Sequence, residues 1–511
     1  MNVFELLEKQ AEKSADKPAI IFKDEAISFS QLRDASFKFA DSLMRLGIKK
    51  GDKIAIYLPN WPEYIYSYLA IWSCGATAVP LDFMLTDDEL ISCISHSEAK
   101  ALIAKAKRNV SLPQIKEKCP SLKEIILCNS EDRNLSCLGG QDFLSFEELI
   151  EKGKDQFPKV DIQDKDYAII FYTSGTTGKP KGVLINYLQL EASPKAIKYF
   201  VDSDISEKDI TLCALPFSHL GGLIFIQVIL VFGAIAVLTD RFLPADFLKH
   251  IQRYKVNWFW LVPSMYYALL QLKEFESFDL SSLRWTVIFG AASSADALRR
   301  FHQHCPQAVL YHGWGLTETN APTTVIPTGS HKIESVGRPA PWIEVKIFDD
   351  RDLELPQGQV GEIVVRGWVV TDGYYKDPAL TAQTIRNGWF HTQDLGKFDS
   401  AGYLYIVARI KEMIKVAGEI VFEPEVESAI HKHPEVSEVA VIGVPDKLRG
   451  EVPKAFLVLK EGSKVSEEDL RYFCRQHLAH FKIPHYFEFT TQLPKNRTGK
   501  IDKEKLRQGL P

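Results

Sequence analysis

The residues from Tyr172 to Gly182, reading YTSGTTGKPKG, concentrate the chemistry that holds a polyphosphate. Gly175, Gly178 and Gly182 let backbone N–H groups approach phosphate oxygens. The hydroxyls of Thr173, Ser174, Thr176 and Thr177 add short donors, and Lys179 and Lys181 bring positive charge. The segment is not a Walker A loop, because Gly175 and Gly178 are too close and Pro180, rather than Ser or Thr, follows Lys179. Far along the chain, Lys500 closes a second Gly-containing segment that starts at Pro494, and by itself it reads as a solvated lysine. His302, His304 and Cys305 are metal-ligand types without a partner motif at zinc spacing, so they read as structural, as do His431 and His433 at a helix end.

Such loops need rigid elements beneath them. The apolar run Ala168–Phe171 immediately precedes the glycine-rich segment, and similar runs at Ile54–Leu58, Ala101–Ile103, Ile125–Leu127, Thr211–Ala214, Ala234–Leu238, Val256–Val262 and Thr286–Phe289 alternate with helical periods. Short continuous apolar runs of this kind suit strands buried on both faces, so the first two-thirds reads as layered α/β structure. From Pro339 the texture becomes β-rich, with Glu344–Phe348, Gly361–Arg366 and Tyr403–Val407 separated by turn residues. A final α+β unit begins near Lys411, with helices over Pro424–His431 and Ser466–Leu478 and strands over Val439–Val444 and Pro453–Leu459. The expected fold class is therefore α/β: a large N-terminal domain of several subdomains over 1–410, including a small β-rich one, and a smaller mobile α+β domain over 411–511.

The chain of 511 residues, 46% hydrophobic and 25% charged, can bury a large core. Its 61 Lys+Arg against 66 Asp+Glu provide no electrostatic reason for nucleic-acid binding. The eight cysteines are scattered without a CxxC pair, which predicts free thiols and a reducing compartment. Met1–Gln10 has no cationic start followed by an apolar stretch, so a cytoplasmic location is expected. Gly221–Leu238 approaches the length of a membrane span but reads as a buried helix entering a strand, with a peripheral membrane contact left open.

Taken with four further motifs, the glycine-rich loop resembles the signature of the acyl-adenylate-forming superfamily, which includes acyl-CoA synthetases, amino-acid-adenylating domains and luciferases. Tyr311–Thr319 (YHGWGLTET), with Gly313 and Trp314, is similar to the family's adenine and magnesium motif, and His391–Asp394 (HTQD) to its ribose motif. Ala408–Glu427 is similar to its hinge region, and Pro494–Lys500 to its catalytic-lysine motif. The resemblance spans nearly the whole chain in the family's order. It implies ATP, Mg²⁺ and CoA as partners of the reaction. Trp314 would stack on adenine, Gly290, Ala291 and Ala292 would let the base approach the backbone, Thr317 would face phosphate, and Glu318 would hold Mg²⁺. Asp394, reinforced by Arg409, would take the ribose hydroxyls. Lys411 would be the hinge, where many relatives have Asp, and Gly418 would line a pantetheine tunnel, with Ala417 replacing a glycine and Pro424 displaced by one residue. Lys500 would bridge the substrate carboxylate and the α-phosphate.

Pro216–Gly222 matches the segment bordering the acyl pocket, with His219 near the acyl carbonyl and the CoA entrance. It has no acid to pair with a substrate ammonium, which disfavours an α-amino acid. Gly315 stands where acetate-selective relatives have Trp, so the pocket floor is open, and Gly222–Val231 with Trp258–Val262 would supply apolar walls. The resemblance thus implies a two-step carboxylate–CoA ligase acting on a small-molecule acid larger than acetate, with a fatty acid favoured. An aryl-acid ligase and an acyl-AMP ligase loading a carrier protein are the alternatives. Chain length, ring preference and oligomeric state, a homodimer among the options, are not set by the sequence.

Overall fold

The computed structural model describes residues 3–128, 143–156, 158–173, 181–201, 205–289, 295–320, 322–330, 332–495 and 501–509. The apolar runs do become strands. Among the described residues one sheet orders Leu144–Ser145, Glu124–Leu127, Ala101–Ala104, Lys53–Tyr57, Thr77–Pro80, Tyr167–Thr173 and Lys181–Asn186, parallel except for the last pair. A second runs in parallel from Val309–Trp314 through Trp285–Ile288, Trp258–Leu261, Ile210–Cys213 and Ile235–Leu238 to Pro18–Phe22, with antiparallel strands at both edges. Each short strand is hydrophobic on both sides because both faces are covered. Trp258 belongs to one core with Val287 and Phe289, whereas Phe259 and Leu261 enter a different one.

Two helices fill the space between the sheets. Pro62–Ser73 is buried along almost its whole length, and its Trp72 indole donates to Ala168 O at 3.1 Å. Leu220–Phe232 follows, anchored where Tyr68 donates to Phe217 O at 2.9 Å. With 13 residues it spans roughly 20 Å, well short of a bilayer core of about 30 Å. Its Gln227 is buried and its amide nitrogen donates to Leu190 O at 2.9 Å, so the donor of the polar residue in the apolar run is paired inside the protein. No described helix is long and apolar enough to cross a membrane.

By packing, the chain forms two units, one of residues 1–344 and 366–388 and another of residues 345–365 and 389–511. The second contains the antiparallel strands Trp389–Phe398 and Leu404–Arg409 and all but the last residue of Gly361–Arg366. It also contains a sheet built on the long hairpin Val436–Asp446 and Gly450–Leu459, against which Glu423–His431 packs. Helix Glu467–His477 begins at a capping box made by Ser466 and Asp469. The short helix Lys503–Gln508 is tied down by a buried carboxylate, Glu423, which receives Lys503 at 3.0 Å and Arg507 at 2.8 Å. The expectation of a mixed α/β fold with a large amino-terminal and a smaller carboxy-terminal part is correct.

Candidate active site

The glycine-rich segment joins the antiparallel strands Tyr167–Thr173 and Lys181–Asn186, whose ends pair Thr173 with Lys181. No helix follows it, so any phosphate grip relies on loop N–H groups, hydroxyls and lysines rather than on a helix dipole. Residues 174–180, which include Ser174, Gly175, Thr176, Thr177, Gly178 and Lys179, lie outside the described residues, as do Gly290, Ala291, Ala292 and Lys500. Just before the loop, Tyr172 shares a 2.7 Å hydrogen bond with His96 Nδ1, and the imidazole also meets Tyr375 edge-on. Burial, followed by the Lys376 charge, lowers the His96 pKa.

The strand Val309–Trp314 brings Gly313 and Trp314 to its end. Gly313 has no room for a side chain: a Cβ there would lie 2.1 Å from Thr324 O and 2.5 Å from the Phe289 ring. Trp314 is buried and Gly315 half-buried, and the chain then enters a tight turn, Thr317–Thr319. Glu318 in this turn is held by Tyr374, whose hydroxyl donates to Oε1 at 3.0 Å. Burial, then the Glu318 charge, raises the Tyr374 pKa, so the phenol stays a donor. The segment Thr371–Tyr375 stitches this turn to the strand after the glycine-rich loop. Thr371 N donates to Glu318 O at 2.8 Å, its hydroxyl donates to Leu184 O at 2.6 Å, and Tyr375 N donates to Gly182 O at 2.7 Å. Glu318 is a lone half-buried carboxylate, and no group of three or more His, Cys, Asp or Glu able to hold a metal occurs among the described residues. That donor set fits Mg²⁺, which takes one or two carboxylates and completes its shell with phosphate oxygens and water.

In the second unit, Asp394 is nearly buried and Arg409 Nε lies 2.9 Å from its Oδ1; the two residues also face each other in the strand register. The backbone before Asp394 leaves the ladder, with Gln393 at φ +61°. Glu362 spans the irregularity, accepting from Gln393 N at 3.0 Å and sharing a 2.8 Å bond with His391 Nδ1. Bulges of this type re-aim a side chain. Lys411 lies in the exposed turn Ile410–Glu412. Ala417 and Gly418 form the two-residue turn between Met413–Val416 and Glu419–Phe422, at φ +51° and +92°. Two positive φ values in a two-residue hairpin are the type I′ pattern, which explains the glycine and makes Ala417 the strained member.

His219 caps the start of Leu220–Phe232, and its Nε2 lies 3.4 Å from Asp82 Oδ2. The expectation that this region has no acid therefore needs correcting: Asp82 arrives from a distant strand end, which the local sequence around His219 does not reveal. Gly222 packs under the preceding turn, where a Cβ would lie 2.2 Å from Pro216 O. Trp258 lines an apolar cavity together with Ile197, Phe200, Trp260 and Phe289, and Gly222 is not part of that lining. The residues that sequence reasoning missed are Tyr374, His96, Glu362 and Asp82. Each sits far in sequence from the motif it supports, and only the run of turn-forming and aromatic residues at Thr371–Tyr375 offered a local signal.

Comparison with known proteins gives the chain's relatives. The family described as AMP-binding enzyme matches residues 7–375, and its C-terminal domain matches residues 425–500. A long-chain-fatty-acid–CoA ligase of Bacillus subtilis (strain 168) is 30% identical over 98% of this chain and 93% of its own length. A feruloyl-CoA synthase of an Amycolatopsis species is 31% identical over 98% and 97%. The crystal structure of an anthranilate CoA ligase with anthranoyl-AMP superposes with a TM-score of 0.88 at 29% identity, covering 99% of this chain and 97% of that one. The o-succinylbenzoate CoA synthetase of Bacillus subtilis with ATP and magnesium superposes with a TM-score of 0.84 at 28% identity, covering 98% and 99%. The chain therefore belongs to the AMP-binding enzyme family, in which it is an adenylate-forming CoA ligase, an AMP-forming acyl-CoA synthetase using ATP and CoA.

Proposed function

We propose that this ligase activates an apolar carboxylic acid larger than acetate, of the fatty-acid type. The observation that carries the reading is the cavity bounded by Ile197, Phe200, Trp258, Trp260 and Phe289, whose walls have no charged group. An ammonium-bearing acid is disfavoured there even with Asp82 near His219, since a buried charge needs a partner within reach. The acid attacks the α-phosphate of ATP to form acyl-AMP and pyrophosphate, and the CoA thiol then displaces AMP to form the thioester.

In this reading the loop from Thr173 to Lys181 holds the phosphates, Trp314 packs on adenine, and Asp394 with Arg409 takes the ribose. Thr317 and Glu318 face the phosphates, and Glu318, steadied by Tyr374, is the residue that would hold Mg²⁺. When bound, that ion would neutralise part of the phosphate charge. Lys500 stabilises the negative charge that develops as the carboxylate meets the α-phosphate, His219 attends the acyl carbonyl, and Gly418 belongs to the thiol path. A hinge at Lys411 would separate 1–410 from 411–511, and the enzyme would work in the cytoplasm.

An aryl acid is the second reading. It is favoured by the aromatic content of the cavity wall and by the feruloyl and anthranilate relatives. A pyrophosphate-release screen over straight-chain, branched, cyclic and aromatic acids, with and without CoA, separates these readings. Acetate as the best substrate would defeat the pocket argument. Adenylation without any CoA-dependent thioester would point instead to transfer onto a carrier protein.

A further inference from the structure

Lys500 enters the proposed chemistry as a charge, and a charge stabilises a transition state only from a fixed position. The described residues on both sides of its segment are fastened. Lys495 and Ile501 face each other in an antiparallel bridge, and Asp502 N donates to Pro494 O at 2.8 Å, so the chain leaves and re-enters through one paired base. Lys495 Nζ also lies 2.6 Å from Glu438 Oε1 on the long hairpin. Lys500 is joined directly to Ile501, and the helix Lys503–Gln508 starts two residues later, with the Asp502 carboxylate accepting from Lys505 N at 3.3 Å.

That helix is held by ion pairs that no step of the proposed chemistry uses. Glu423, 1% exposed, takes Lys503 at 3.0 Å on one oxygen and Arg507 at 2.8 Å on the other. Lys503 also lies 2.7 Å from Glu427 Oε1, one turn along the same helix as Glu423. Both carboxylates accept from the backbone of the strand Val436–Asp446, Glu427 from Val441 N at 2.7 Å and Glu423 from Gly443 N at 3.3 Å. Burial alone would push the Lys503 ammonium down, but Glu427 and Glu423 outweigh it and raise its pKa, so the cation persists at neutral pH. Ile501 and Leu506 pack on the apolar core of the same unit. Buried ion pairs are rarely worth more to stability than apolar residues of the same size. What such a cluster adds is direction, since distance and hydrogen-bond geometry must be met together.

We infer that Lys503, held between Glu423 and Glu427, is a positioning residue for Lys500: the cluster fixes the carboxy-terminal root of the segment that ends in that ammonium, and adenylation depends on it. This rests on the role proposed for Lys500 above. Lys503 touches no substrate in this role and acts only through Lys500. The cluster therefore matters to acyl-AMP formation and not to thioester formation, which makes no demand on that ammonium.

The test measures, on one sample of each full-length variant, pyrophosphate release and thioester formation from chemically prepared acyl-AMP plus CoA. Lys503→Met keeps the bulk of the side chain and removes its charge. It is expected to lower the ratio of the first rate to the second by about ten- to a hundredfold, the scale on which a misplacement of about 1 Å slows a reaction. A partial loss of folded protein cancels in the ratio. Lys503→Met leaves two buried carboxylates facing one arginine, so Glu427→Gln serves as the milder variant. It keeps an acceptor for Val441 N, withdraws one charge and should lower the ratio in the same direction. In a Lys500→Ala background neither substitution should lower the ratio further, whereas damage independent of Lys500 would multiply with it. A wild-type ratio in Lys503→Met, or in Glu427→Gln where the first variant does not fold, overturns the inference and leaves Lys500 its role; so does a further loss in the Lys500→Ala background. Undiminished pyrophosphate release by Lys500→Ala itself overturns that role and the inference with it.

Discussion

Glu318 shows how a single side chain acquires a role from its surroundings. A carboxylate in a turn is ordinarily a solvated group, but here Tyr374 holds one of its oxygens at 3.0 Å and the Thr371 backbone holds the turn itself. Groups that orient a metal ligand typically matter by 10–100-fold in metal affinity. Tyr374→Phe should therefore raise the Mg²⁺ concentration needed for half-maximal ATP–pyrophosphate exchange by about tenfold, with a smaller effect at saturating Mg²⁺. An unchanged Mg²⁺ titration would remove Tyr374 from this role. The segment proposed to meet adenine stands out in the sequence because its residues are contiguous. The Tyr374 contact was not, because it joins positions 56 apart.

Two elements carry strain or charge penalties. The turn at Ala417 and Gly418 places a Cβ-bearing residue at φ +51°. Left-handed backbone costs a non-glycine residue roughly 1–2 kcal/mol, so Ala417→Gly should stabilise the carboxy-terminal hairpin by about 1 kcal/mol, read as a rise in its calorimetric transition. Gly418 lies at φ +92°, so a large side chain there would both strain the turn and obstruct any thiol path, and its effects must be separated by measuring stability alongside each half-reaction. The strand leading to Trp314 contains His312, whose pKa burial lowers from 6.5 to about 4. The unfolded chain binds a proton below pH 6.5 that the folded protein refuses until about pH 4, so stability falls as pH drops through that window and is unaffected above it. At pH 5 the penalty is about 2 kcal/mol, 1.36 kcal/mol for each unit between 6.5 and 5. His312→Gln should flatten the fall in urea midpoint between pH 7 and pH 5, and an identical fall in the variant would assign it to other groups.

Across the whole molecule, the proposed chemistry draws its two steps from different parts of the chain. Adenylation brings an anionic carboxylate to an anionic triphosphate, a repulsion that an ammonium offsets and that Mg²⁺ relieves only in part. Thioester formation makes no such demand, since its leaving group is AMP and its nucleophile is a thiol. Lys500→Ala should reduce pyrophosphate release by about 10²–10³-fold, the loss typical of one preorganised charge-stabilising donor. Thioester formation from chemically prepared acyl-AMP and CoA should change far less. A variant equally slow in that isolated second step would end both the assignment of Lys500 and the division of labour.

What the sequence determined by itself is whatever rests on neighbours along the chain. Strand and helix positions follow from local apolar periodicity, which is why the predicted runs at Ile54, Ala101, Ile125 and Thr211 coincide with observed strands. The glycine-rich segment, the Trp314–Glu318 segment and His391–Asp394 are likewise short stretches whose residue types carry their own chemistry. Tertiary structure decided everything that depends on which strand lies beside which. It put antiparallel strands on the two sides of the glycine-rich segment instead of a strand and a helix. It brought Asp82 to His219 and Tyr374 to Glu318, and it set Trp258 against Trp285 across two adjacent parallel strands. Parallel pairing joins segments separated by whole helices, and a hydrogen bond or ring stack across that distance leaves no mark in local composition.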